Sequence, residues 1–134
     1  MGVTDYRELE VYKRAFALQQ RVFNVSKRFP KSEAYSLTDQ ARRSSRSVGA
    51  NIAEAWKKRR YQKHFVSKLT DADAELAETQ HWIRTAHACD YLSADAGQAL
   101  GDEATQIGRM IGAMIRDASS WCISPSESRR RTTP

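Results

Sequence analysis

The sequence is short of everything that interrupts a helix. Only three prolines and six glycines occur in 134 residues, while Ala, Leu, Glu, Gln and Arg, which lose little on entering a helix, recur throughout. No stretch alternates apolar and polar residues with period two, so no sheet is expected. Two cysteines, Cys89 and Cys122, are too few for a disulfide framework. They read as ordinary small residues near helix ends in a reduced, cytoplasmic protein. No apolar run approaches the roughly 18 residues of a membrane span. The opening MGVTDYRELE carries acids where a secretion signal has a basic and then an apolar run. Tyr6 stands where N-myristoylation needs Ser or Thr. A Walker loop, a zinc-ligand pattern and a nucleophile elbow are all missing. No cofactor is therefore expected, and the chain is read as a non-enzyme.

What is present fits one soluble domain, with 40% hydrophobic and 28% charged residues. The net charge of +6 is unevenly spread: residues 42–68 hold nine Lys/Arg against one acid, Glu54, and residues 71–103 hold eight acids against one base, Arg84. Such asymmetry suits a face for polyanions or acidic partners, and an unevenly charged solvated surface explains it as well.

Apolar spacing predicts four helices. The first spans about residues 5–28, capped by Thr4 or Asp5 and closed by Phe29-Pro30. It carries two stripes: Val11, Ala15, Leu18, Val22 and Val25, and then Leu9, Tyr12, Phe16 and Phe23. A helix facing one core needs a single stripe, so two imply burial on two sides, in its own bundle or against another subunit. The second helix begins at Ser36, with Asp39 completing a variant capping box. Its packing seam is Leu37, Ala41, Ser44, Val48, Ile52 and Ala55, with Arg42, Arg43, Arg46 and Lys57 opposite and Ser47, Asn51 and Glu54 between. The third, about residues 61–90, repeats Phe65, Leu69, Ala72, Leu76, Thr79, Ile83 and Ala86. The fourth runs from Ser93 to near Trp121 on Leu100, Ala104, Ile107, Ile111, Met114 and Ala118, with Gly97, Gly101, Gly108 and Gly112 along one flank. Clustered glycines suggest close approach of another backbone. The fold expected is all-α, an antiparallel up-and-down four-helix bundle over residues 1–122, with a disordered basic tail at residues 123–134.

The stretch QARRSSRSVGANIAEA resembles the signature of the 23S rRNA intervening-sequence proteins, a four-helix-bundle family. Arg42, Arg43, Ser47, Val48, Asn51, Ile52, Ala53 and Glu54 match it, and Ala55 replaces the glycine that follows in the family. KLTDADAELAETQHWI is similar to the third-helix pattern at Glu75, Glu78, Thr79 and Trp82. The resemblance covers most of the chain. It implies up-and-down bundles assembling into rings, typically homopentamers. It also implies kinship with basic accessory proteins of diversity-generating retroelements, which engage a reverse transcriptase and nucleic acid. Most members have no established function.

The strongest functional signal is the basic group Arg42, Arg43, Arg46, Lys57, Lys58, Arg59, Arg60 and Lys63, read as a nucleic-acid surface that binds phosphates by charge. Tyr61 and His64 are candidates to stack on bases, although Tyr61 reads first as a residue packing at a helix start. No base-reading module is visible, so binding should be directed at backbone or shape. Ser47, Asn51 and Glu54 read as a structural motif linking helices or subunits rather than a catalytic set. Glu78-x-x-His81 resembles half of a di-iron motif, but only one such pair exists and it points off the apolar seam, so no metal site is expected. Leu9, Tyr12, Phe16, Phe23, Gly108 and Gly112 are the expected oligomer interface. The partners expected are further copies of the chain, RNA or DNA, and an acidic or nucleic-acid-processing protein, with no membrane role. The leading reading is a ring-forming RNA-binding accessory factor. The alternative is a protein-interaction scaffold that does not touch nucleic acid.

Overall fold

A computed structural model describes residues 2–123. Four long helices carry the fold: α1 (Glu10–Ser26), α2 (Leu37–Lys57), α3 (Gln62–Ala88) and α4 (Ala94–Arg116), followed by a short α5 (Ala118–Trp121). Short 3-10 turns at Tyr6–Glu8 and Lys31–Glu33 precede α1 and α2. No strand occurs among the described residues. α1 packs on α2 and α4, and α3 packs on the same two helices, which is the closed order of an up-and-down bundle.

The apolar rows identified in the sequence form the core. Leu18, Val48, Phe65, Leu69, Ala72, Ala104 and Ile111 are fully or almost fully buried. Ser44 and Thr79 sit among them with their hydroxyls 3.0 Å apart, and each also lies within hydrogen-bonding distance of a carbonyl one turn back on its own helix. Both buried groups are thus satisfied, as burial demands. The Tyr12 ring packs over Gly49, where a β-carbon would make an ordinary contact at 3.5 Å from Tyr12 Cε1.

Several predicted boundaries move, each for a local reason. The first helix starts at Glu10 rather than near residue 5, because Leu9 is extended (φ −65°, ψ 130°). Asp5 instead caps the 3-10 turn in a reciprocal capping box with Glu8. Bonds from Arg7, side chain first, hold the Asp5 carboxyl down at about 2. Ser36 forms no capping bond to α2: the preceding 3-10 turn brings the Glu33 carboxylate within 2.6 Å, and the hydroxyl donates there. α3 stops at Ala88 rather than at residue 90 because Asp90 adopts a left-handed conformation (φ 64°). Tyr91 N–H then reaches back to the Ala86 carbonyl, closing the helix end. Tyr91 also donates through its hydroxyl to Glu33 (3.0 Å), tying the two loops at this end together. At the other end the predicted fourth helix breaks at Asp117, so α5 folds onto α3. Ile123, first residue of the predicted tail, donates its N–H to the Arg59 carbonyl at 3.1 Å. The remainder of that predicted tail, 124–134, lies outside the described residues.

Candidate nucleic-acid interface

The structure divides the predicted basic group into three. The first part is the α2–α3 hairpin at one end of the bundle. α2 ends at Lys57 because its cap residue, Lys58, leaves the helical region (φ −101°, ψ 17°), and α3 begins after an extended Tyr61. Cations at a helix C-terminus oppose its exposed carbonyl dipoles favourably, so a lysine-rich stop is locally consistent. Lys57, Lys58, Arg60 and Lys63 are exposed around this turn, and none has a carboxylate within 4 Å among the described residues. Arg59 behaves differently. Its guanidinium stacks 3.4 Å from the Trp56 ring centroid, and its Nε donates to the Trp56 carbonyl at 2.9 Å. Its half-buried side chain lies along α2, and its backbone carbonyl accepts from Ile123 of the C-terminal segment. Tyr61 is 57% exposed, with its ring 5.2 Å from that of His64. The two rings stand beside the lysines, and Tyr61 does not pack into the bundle as a helix-start residue would.

The second part lies between α1 and α2, roughly 20 Å from the hairpin at 1.5 Å of rise per residue. Arg42 and Arg46 lean toward α1, with guanidinium carbons 4.7 and 5.6 Å from the Phe23 ring centroid, and Lys27 Nζ approaches the same ring at 4.7 Å. Lys27 escaped the sequence reading, although Phe23 and Lys27 are one turn apart on one helix, a spacing that brings side chains together. The third part is Arg43, which turns the other way, onto α3. It hydrogen-bonds Glu75 at 3.2 and 3.3 Å and pairs with Glu78. Its charge is balanced within the chain, so Arg43 is a strut between helices, although it borders the same groove as Arg42 and Arg46.

The family-like polar row also braces α2 against α3. Asn51 accepts from Lys68 Nζ at 3.3 Å and donates to the Ser47 carbonyl at 2.8 Å. Lys68 further approaches Glu54 and Asp71, both at 3.6 Å. Among the described residues Ser47 bonds within its own helix, donating to the Arg43 carbonyl. Lys68, which the sequence reading did not single out, is the hub. Glu78 accepts from the Trp82 indole at 3.1 Å as well as from Arg43, while His81 is exposed with its ring against Trp82.

The Trp82 hydrogen bond first, and then Arg43, hold the Glu78 carboxyl below its ordinary value. A depressed carboxylate favours the folded state above its unfolded value and loses that effect as pH falls through the folded one. An NMR titration should therefore show the Trp82 indole resonance moving at a pH below that of an ordinary glutamate. Arg43→Ala should shift the midpoint upward without abolishing the step, because the indole still donates. An unmoved midpoint would take the guanidinium out of this clasp.

The expected oligomer interface is likewise redistributed. Leu9 is 3% exposed within its own chain and belongs to the core. Its extended backbone turns it inward. Gly108 is already covered, since a β-carbon there would meet Leu76 at 3.5 Å, whereas nothing lies within 4 Å of a β-carbon at Gly101 or Gly112. Tyr12 stacks on Phe16, which is 45% exposed, and Phe23 lies under the cations described above.

The model of the 23S rRNA-intervening sequence protein family matches residues 7–113. No curated protein matches the chain. Among solved structures, a protein of unknown function from the S23 ribosomal protein family of Bacteroides thetaiotaomicron is 24% identical, with a TM-score of 0.72 over 79% of this chain and 95% of that one. That likeness shows the fold. No helix among the described residues is long and apolar enough to cross a membrane.

Proposed function

Starting from a chain that belongs to the 23S rRNA-intervening sequence protein family, we propose a self-associating cytoplasmic bundle that binds RNA through its α2–α3 hairpin and performs no catalysis itself. One observation carries this reading: Lys57, Lys58, Arg60 and Lys63 stand exposed on one turn with no carboxylate within 4 Å among the described residues. Cations left unpaired by their own chain exchange condensed counterions for phosphates, and that exchange drives backbone binding of nucleic acid. The hairpin carries exposed Tyr61 and His64 beside its cations, which suits backbone contact and stacking on unpaired bases rather than groove reading. Self-association repeats the hairpin on each copy and turns several weak contacts into avidity.

Fluorescence anisotropy with single- and double-stranded RNA and DNA at rising salt tests the reading. Log affinity should fall linearly with log salt, by roughly 0.7 per contacted phosphate on single strands. Indifference to all four nucleic acids, alongside capture of an acidic protein, would replace it with the scaffold reading.

Exposed Phe16 and the open glycine edge of α4 support self-association. Gly112→Ala should stabilise the helix by about 0.5–1 kcal/mol in chemical denaturation, since nothing lies within 4 Å of the added methyl in one chain. The same methyl should reduce particle mass in sedimentation. A stabilised variant of unchanged mass places the glycine edge outside the seam.

A further inference from the structure

We propose that Lys27, Arg42 and Arg46, gathered on Phe23, form a discrete site for a phosphomonoester. The three cationic groups lie within 5.6 Å of one ring centroid, and none has a carboxylate within 4 Å among the described residues. Three like charges held so close repel one another, and the face of an aromatic ring offsets only part of that. The Phe23 ring occupies the centre of the three, so an anion offsets the repulsion from the groove side, against the outward nitrogens of Arg42 and Arg46.

The geometry is built rather than incidental. Ser26 is 2% exposed. It donates to the Phe23 carbonyl at 2.9 Å and accepts from Arg42 Nε at 2.8 Å. The guanidinium is thereby fixed through Nε, and its two terminal nitrogens remain for a bidentate oxyanion. Arg42 and Arg46 open, together with the Glu-paired Arg43, onto a groove of about 540 Å³ that Thr38, Asp39 and Ser47 also line, and Lys27 stands outside that lining, on the Phe23 ring. Asp39 pairs with none of the cations there and opposes an incoming anion.

A phosphomonoester fits this charge count better than its rivals. It concentrates a charge of about −1.5 to −2 and three acceptor oxygens in one group. A carboxylate or an internal phosphodiester brings a single charge and leaves the cluster in excess. Two sources share the chemistry, the terminal phosphate of a nucleic-acid strand and a free nucleotide. The site stands on its own geometry and does not depend on the hairpin reading.

Two short RNAs of one sequence, one with a 5′-phosphate and one with a 5′-hydroxyl, provide the test, together with calorimetry using adenosine 5′-monophosphate. The phosphorylated strand should bind about tenfold more tightly, the scale of a charge-assisted bidentate contact. Arg42→Gln and Arg46→Gln should each erase that preference and leave the hydroxyl strand's affinity in place. Asp39→Asn should widen it. Hairpin substitutions should weaken both strands alike and preserve the ratio. Calorimetric binding of the mononucleotide as tight as that of the phosphorylated strand assigns the site to a free nucleotide, and weaker binding assigns it to a strand end. Equal binding of the two RNAs with no mononucleotide heat overturns the site, whatever the hairpin does. A preference that survives both arginine substitutions overturns it too.

Discussion

Replacing Lys57, Lys58, Arg60 and Lys63 together by Gln should lower RNA affinity by about a hundredfold at low salt and flatten the log–log salt slope by roughly 3, since each lost phosphate contact removes about 0.7 from a single-strand slope. Glutamine is the informative replacement. It removes charge while keeping length and polarity, and it avoids placing an anion against the carbonyl end of α2, where Glu would weaken the helix stop. The four side chains are exposed, so the unfolding midpoint should scarcely move. Arg59 is excluded from the set because it stacks on Trp56, and losing it would disturb packing as well as charge. In an assembled particle the deficit is multiplied over copies, so the loss should exceed that of an isolated chain. An unchanged slope in a normally folded variant would move the phosphate contacts off the hairpin.

The second large effect concerns stability. Phe65→Ala should destabilise the fold by about 3–5 kcal/mol in urea, combining lost transfer free energy with the cavity left behind. Phe65 is the largest fully buried side chain and lies in the first turn of α3, directly under the basic hairpin. Its half-buried neighbour Val66 should cost far less when truncated. A domain of this size has only about 5–15 kcal/mol to lose, so Phe65→Ala should consume a third or more of it and loosen the hairpin's footing. A cost no larger than that of Val66→Ala would mean that the space closes when the ring is removed.

The bundle was legible because packing leaves a period in the chain. Leu37, Ala41, Ser44, Val48, Ile52 and Ala55 recur at helical spacing, and all are buried. The same holds for the α3 row from Phe65 to Ala86. Helix ends were less legible, because competing local bonds set them: Glu33 takes the Ser36 hydroxyl, Leu9 extends to reach the core, and Asp90 turns left-handed. The basic group was legible as composition and not as a surface. Arg42 and Arg43 are adjacent, yet one side chain crosses to Phe23 and the other to Glu75 and Glu78. Successive helical residues diverge by about 100°, and a long flexible side chain then follows whichever partner its side of the helix offers.

The sequence by itself determined that this chain is helical, that four apolar seams close on one core, and that its cations concentrate on and just after α2, because period and composition are properties of order along the chain. Only the tertiary structure decided which of those cations are available. Arg43 and Lys68 are consumed by carboxylates of neighbouring turns and helices, Arg59 is locked on Trp56, Lys27 joins Arg42 and Arg46 across a helix boundary, and the hairpin lysines reach solvent. Pairing depends on distances of a few ångströms between residues far apart in the chain, and helix packing alone sets those distances.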